Sequence, residues 1–65
     1  MDNKSNLILK SYRVKMNLSQ QIMANILNIS KDSYSSKENN LVDFKSSEMI
    51  QISKYFNVTM QELFN

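Results

Sequence analysis

No glycine and no proline occurs anywhere in the 65 residues, so a chain that must turn lacks both of the residues that usually permit turning. Asparagine is the available substitute. After glycine it best tolerates the left-handed backbone that ends a helix. Asn17, Asn28, Asn40 and Asn57 each follow a helix-like run. Ser19, Ser30 and Thr59 come shortly after three of them, where the next helix needs a hydroxyl cap. Stop, cap and helix are thus written several times over.

These signals predict five helices, at about Asn6 to Met16, Gln20 to Leu27, Lys31 to Asn39, Ser46 to Phe56 and Met60 to Phe64. Helical spacing assigns inward faces. They are Leu9, Tyr12 or Arg13, and Met16 on the first helix, and Met23, Ala24 and Leu27 on the second. Met49, Ile52 and Phe56 form that of the fourth. No stretch alternates strictly enough to read as a strand, so the expected fold class is all-α.

At this length one domain is expected, spanning 1–65 with a flexible start at 1–5. Without cysteine there is no disulfide framework, and without histidine or cysteine the usual zinc ligands are missing, so no metal site is expected. The same absences, and the lack of paired carboxylates at a useful spacing, point away from an enzyme and from any cofactor. Nothing in the chain suggests a small-molecule pocket. No apolar run approaches the roughly 20 residues of a membrane helix, and MDNKSNLILK lacks the apolar stretch of a signal peptide. A soluble cytoplasmic protein is the expectation, and absent cysteine fits that compartment.

The net charge of +2 is unevenly spread. From Lys4 to Lys37, the six bases Lys4, Lys10, Arg13, Lys15, Lys31 and Lys37 face one acid, Asp32. From Glu38 onward, Lys45 and Lys54 face Glu38, Asp43, Glu48 and Glu62. Such a split favours a polyanion meeting the first half, although lysines also simply keep a small protein soluble.

The middle segment, ISKDSYSSKENN from Ile29 to Asn40, has one aromatic, Tyr34, and no aliphatic residue after Ile29. It lies between segments rich in Leu, Ile, Met and Phe. Just before it, LNIS at Leu27 to Ser30 combines a helix end, an asparagine turn, an apolar plug and a cap. That is the corner a helix-turn-helix requires. Tyr34 is expected to anchor the third helix alone, with the helix's other faces left unburied.

The order of these features resembles the helix-turn-helix domain of phage repressors and Cro proteins, the lambda-repressor-like or xenobiotic response element family. The resemblance runs from about Leu7 to Phe64. Its most specific parts are NLSQ (Asn17 to Gln20), the LNIS corner, KEN (Lys37 to Asn39) and FNVTMQELF (Phe56 to Phe64). It implies a compact five-helix domain with the helix-turn-helix at about 20–39. It also implies a dimeric, DNA-binding transcriptional regulator, a repressor or Cro-like protein. From the family, an ion pair between Arg13 and Glu38 is implied, and a phosphate contact by Gln20. Asn17, Asn28 and Asn40 stand where the family usually has glycine. The loop NLVDF lacks the basic residues, and hence the phosphate clamp, of many relatives. Lys37 takes a position that is often aliphatic, its stem expected on the core and its ammonium in solvent.

In the docking geometry of this motif, the start of its second helix meets base edges in the major groove. The matching positions are Lys31, Asp32 and Ser33, with Ser35 and Ser36 about one turn on. Lysine can donate to guanine, serine can donate or accept, and aspartate can accept from cytosine N4. Asp32 also suits the first helical turn through the dipole, a purely structural role. Phosphate contacts are expected from Gln20, Ser30, Lys37, Asn39 and Asn40, while Lys10 and Lys15 suit a phosphate or a solvated surface equally. Paired half-sites in a palindromic operator call for a homodimer. Met60 and Phe64 are the candidate dimer contacts, whereas Phe56, Val58 and Leu63 read as core. The competing reading keeps the scaffold and changes the partner, making the chain a protein-binding antirepressor or antitoxin.

Overall fold

A computed structural model describes residues 4–64. Among them are five helices and no strand: α1 Lys4–Lys15, α2 Gln20–Leu27, α3 Lys31–Glu38, α4 Ser46–Phe56 and α5 Met60–Phe64. The first helix starts two residues before the predicted Asn6. Of the expected flexible start, residues 4 and 5 are therefore helical, and 1–3 lie outside the described residues. The third helix ends at Glu38, with Asn39 as its cap. The second, fourth and fifth match the predicted bounds.

All four predicted asparagine stops adopt left-handed backbone, with φ of 60° at Asn17 and Asn28, 65° at Asn40 and 59° at Asn57. Each makes the same pair of bonds. Asn28 N–H donates to the Asn25 carbonyl (3.1 Å) and Ile29 N–H reaches back to Ala24 (2.9 Å). Asn17 with Leu18, Asn40 with Leu41 and Asn57 with Val58 repeat it. This double closure satisfies the last carbonyls of a helix, and an aliphatic residue follows the asparagine every time.

The starts are equally explicit. Ser19 Oγ accepts from Ile22 N–H and Ser30 Oγ from Ser33 N–H, both at 3.1 Å. Thr59 and Glu62 form a reciprocal box: Thr59 Oγ1 accepts from Glu62 N–H (3.1 Å), and Glu62 Oε1 accepts from Thr59 N–H (3.0 Å). At α4 the backbone N–H of Lys45 donates to Glu48 Oε1 at 2.8 Å.

The core joins Leu9 of α1, Met23, Ala24 and Leu27 of α2, Tyr34 of α3, Ile52 and Phe56 of α4, and Leu63 of α5. Helix α1 packs on α3 and α5, α2 on α3 and α4, and α4 on α5. Phe44, between α3 and α4, sets its ring edge-on to both Tyr34 (6.0 Å) and Phe64 (5.5 Å), tying the middle of the chain to its end.

Met16 is a correction, because it is half exposed rather than inward. The chain leaves the helix at Asn17, and the buried stripe of α1 runs through Leu9 and Arg13. The fourth helix also differs in detail. Its buried side carries Glu48 and Ser53 beside Ile52 and Phe56, while Met49 is only partly covered.

Candidate nucleic-acid interface

Helix α3 has two sides of opposite character. Lys31, Asp32 and Ser33 are exposed and Ser35 and Ser36 half-buried, while Tyr34, Lys37 and Glu38 are buried. No aliphatic side chain occurs on it. The expectation of Tyr34 as sole anchor is therefore corrected: two charged residues share the buried edge, each with a partner.

Glu38 is the centre of one arrangement. Its side chain is fully buried. Oε2 accepts from Arg13 Nε (2.7 Å) and Tyr34 Oη (2.8 Å), and Oε1 accepts from Gln20 Nε2 (3.0 Å) and Arg13 Nη2 (3.2 Å). Arg13 uses a third donor, Nη1, on the Leu18 carbonyl at 2.7 Å. Helices α1, α2 and α3 thus meet on one carboxylate. Burial alone would raise the Glu38 pKa, but the bonds from Arg13, Gln20 and Tyr34 and the guanidinium charge outweigh it, leaving the pKa below the ordinary value of 4.5. Tyr34 is pushed upward, first by burial and then by its bond to the carboxylate. Arg13 is raised by its bond to Glu38, against the opposing effect of burial.

Lys37 and Glu48 form the second arrangement. Lys37 Nζ donates to both Glu48 oxygens at 2.7 Å, and both side chains are at least nine-tenths buried. The same carboxylate accepts the Lys45 N–H. Burial again acts to raise the Glu48 pKa and is outweighed by the Lys37 and Lys45 bonds, so the net shift is downward. The phosphate role and the solvent-facing ammonium expected of Lys37 are corrected accordingly. The reason is Glu48, which sits one turn into α4 and draws the lysine inward. Arg13 and Lys37, two of the bases counted in the positive half, are paired with acids from the second half.

The other anticipated contacts surround the exposed side of α3. Ser30 lies at its start and also donates Oγ to Ser33 Oγ at 3.0 Å. Asn39 and Asn40 are exposed at its end, Asn39 Nδ2 donating to Ser35 Oγ at 3.3 Å. The Gln20 side-chain amide is turned inward to Glu38, while Gln20 opens α2. Beyond Asn40 come three exposed residues, Leu41, Val42 and Asp43. Met60 of α5 is partly exposed and shares a shallow depression with Met49, Gln61 and Phe64.

Between α2 and α3 only Asn28, Ile29 and Ser30 intervene, and the helices pack on one another. A family model described as a helix-turn-helix domain matches residues 8–65. The chain belongs to the helix-turn-helix domains of the XRE/Cro-like kind. Neither the curated proteins nor the solved structures contain a significant match to it. No described helix of this helix-turn-helix domain is long and apolar enough to cross a membrane.

Some of its supporting residues escaped the sequence reading. The four-residue spacing of Tyr34 and Glu38 places them on one helical face and offered a signal for their bond. The Lys37–Glu48 pair had no such local signal, because its partners are 11 residues apart on different helices.

Proposed function

We propose that this helix-turn-helix domain is a sequence-specific DNA-binding transcriptional regulator, a repressor or Cro-like protein that lays α3 in the major groove of an operator. One observation carries the reading. Helix α3 exposes only polar groups, while its opposite edge is fixed through Glu38 to two other helices. A short helix held this way presents hydrogen-bonding groups at preset positions, as base readout requires.

Lys31, Asp32, Ser33, Ser35 and Ser36 are the base-reading set, with Lys31 suited to guanine and Asp32 to the cytosine amino group. Ser30, Asn39 and Asn40 flank them as phosphate contacts, and Gln20 adds its backbone N–H at the start of α2, its side-chain amide being engaged by Glu38. A homodimer on a palindromic site doubles the short sequence that one domain can read. Met60, with the open side of Phe64, is its proposed contact. The location that suits this role is the cytoplasm, and no catalytic step is required.

A second reading keeps the domain and replaces DNA by a protein, as in an antirepressor or antitoxin. Its support is specific: exposed Asp32 and Asp43 near the apolar pair Leu41 and Val42. Selection from randomised duplex DNA with the purified chain tests both. An enriched motif supports the regulator, whereas no motif together with a stoichiometric captured protein rejects it.

A further inference from the structure

Leu41 is 79 % exposed and Val42 is 52 % exposed, two adjacent aliphatic side chains on the loop that follows so polar a helix. The loop is not loose. Leu41 N–H and Val42 N–H both donate to the Ser36 carbonyl, at 2.8 and 3.3 Å, after the left-handed turn at Asn40. Farther on, the Lys45 N–H bond to Glu48 and the Lys37–Glu48 pair clamp the segment's other end to α3. Val42 therefore holds a set position relative to the exposed side of α3. There it lines a depression with Asp32, Ser33 and Ser36, three members of the proposed base-reading set.

An aliphatic group in that place cannot neutralise a phosphate or accept a hydrogen bond. What it can meet on the floor of a major groove is the one apolar feature displayed there, the C5-methyl group of thymine. We propose that Val42 is a specificity-determining residue that contacts a thymine methyl next to the bases read by Asp32, Ser33 and Ser36. This rests on the DNA-binding reading above. The serines supply adaptable hydrogen bonds that select weakly, and an apolar contact at a fixed place adds discrimination they lack.

The test uses the full chain and operators selected from random duplex DNA. Thymines of the selected motif are replaced one at a time by deoxyuridine, which deletes only the methyl group. Wild type is expected to lose about fourfold in affinity at one thymine per half-site, the worth of one buried methyl group. V42A is expected to bind the thymine and deoxyuridine operators equally, with an unchanged circular dichroism spectrum because the side chain lies outside the core. A motif with no methyl-sensitive thymine, or a methyl effect that survives in V42A, overturns the assignment. Failure to select any motif overturns the DNA-binding reading itself, a result distinct from both.

Discussion

Tyr34 and Glu38, one helical turn apart on α3, are joined by a 2.8 Å hydrogen bond from the phenol to a fully buried carboxylate. The ring of Tyr34 meanwhile fills the core and is itself fully buried. Y34F separates the two contributions, since it keeps the ring and removes the donor. A bond to a charged acceptor suggests a loss of about 1.5 kcal/mol, read as a lower urea midpoint at unchanged m-value.

Glu38→Gln tests the whole hub. It removes the charge that balances Arg13, and a buried pair broken from one side costs about 3 kcal/mol. Small single-core domains hold roughly 3–5 kcal/mol in total, so the variant is expected to keep no more than about 2 kcal/mol and to melt well below wild type. Native-like cooperative melting of E38Q at wild-type temperature would refute the hub's role.

Acid should unfold this protein through Glu38 and Glu48 together. Both folded pKa values lie below the ordinary 4.5, so the folded state binds fewer protons than the unfolded one in that range. Their stabilisation is complete above the ordinary value and is lost as pH falls through the folded values. Urea midpoints measured against pH should therefore hold level above about 5.5 and fall below about 4.5. Tyr34 acts with the opposite sign at the other end. Its folded pKa is raised above 10.0, so its contribution is intact below that value and is lost as pH climbs beyond it. Tyrosinate absorbance should show Tyr34 ionising only as the domain unfolds, with that step missing in Y34F.

Asn28 has φ 60° and ψ 43°, where a Cβ on an ordinary residue is crowded. Replacing it with alanine should cost about 1 kcal/mol, whereas N28G should stay close to wild type, because relief of crowding offsets the freedom glycine adds to the unfolded chain. Thermal denaturation of the two variants side by side distinguishes them. Equal losses would remove the backbone explanation.

Lys31→Ala should weaken binding to a selected operator by about 1–3 kcal/mol while changing non-specific binding much less. Titrations at several salt concentrations check this. The salt slope itself should be shallow, since Lys37 is paired inside and Lys31 is the exposed base on α3. Equal losses on specific and random DNA would reassign Lys31 to a phosphate.

The helix plan was legible because its punctuation is local. Asn17, Asn28, Asn40 and Asn57 act on their own neighbours, as do Ser19, Ser30 and Thr59, so each could be read within a few residues. Met16 was misread because its spacing fits the inward stripe, yet Asn17 turns the chain just where that stripe would continue. Lys37 was misread for a different reason. A lysine beside a glutamate on a polar helix looks solvated, and only the packing of α4 brings Glu48 to it. The exposed residues of α3 could be placed from the turn alone. Nothing in the residue pattern marked Val42, which the fold brings beside Asp32, Ser33 and Ser36.

The carboxylate of Glu38 has a mechanical consequence. With α1, α2 and α3 pinned to one buried group, α3 cannot tilt to suit a ligand without breaking bonds that the small core cannot spare. Little backbone ordering then remains to oppose association, and whatever misfit exists must be taken up by the partner. For the duplex partner proposed above, its own bendability would become part of what is recognised, including at base pairs the domain never touches.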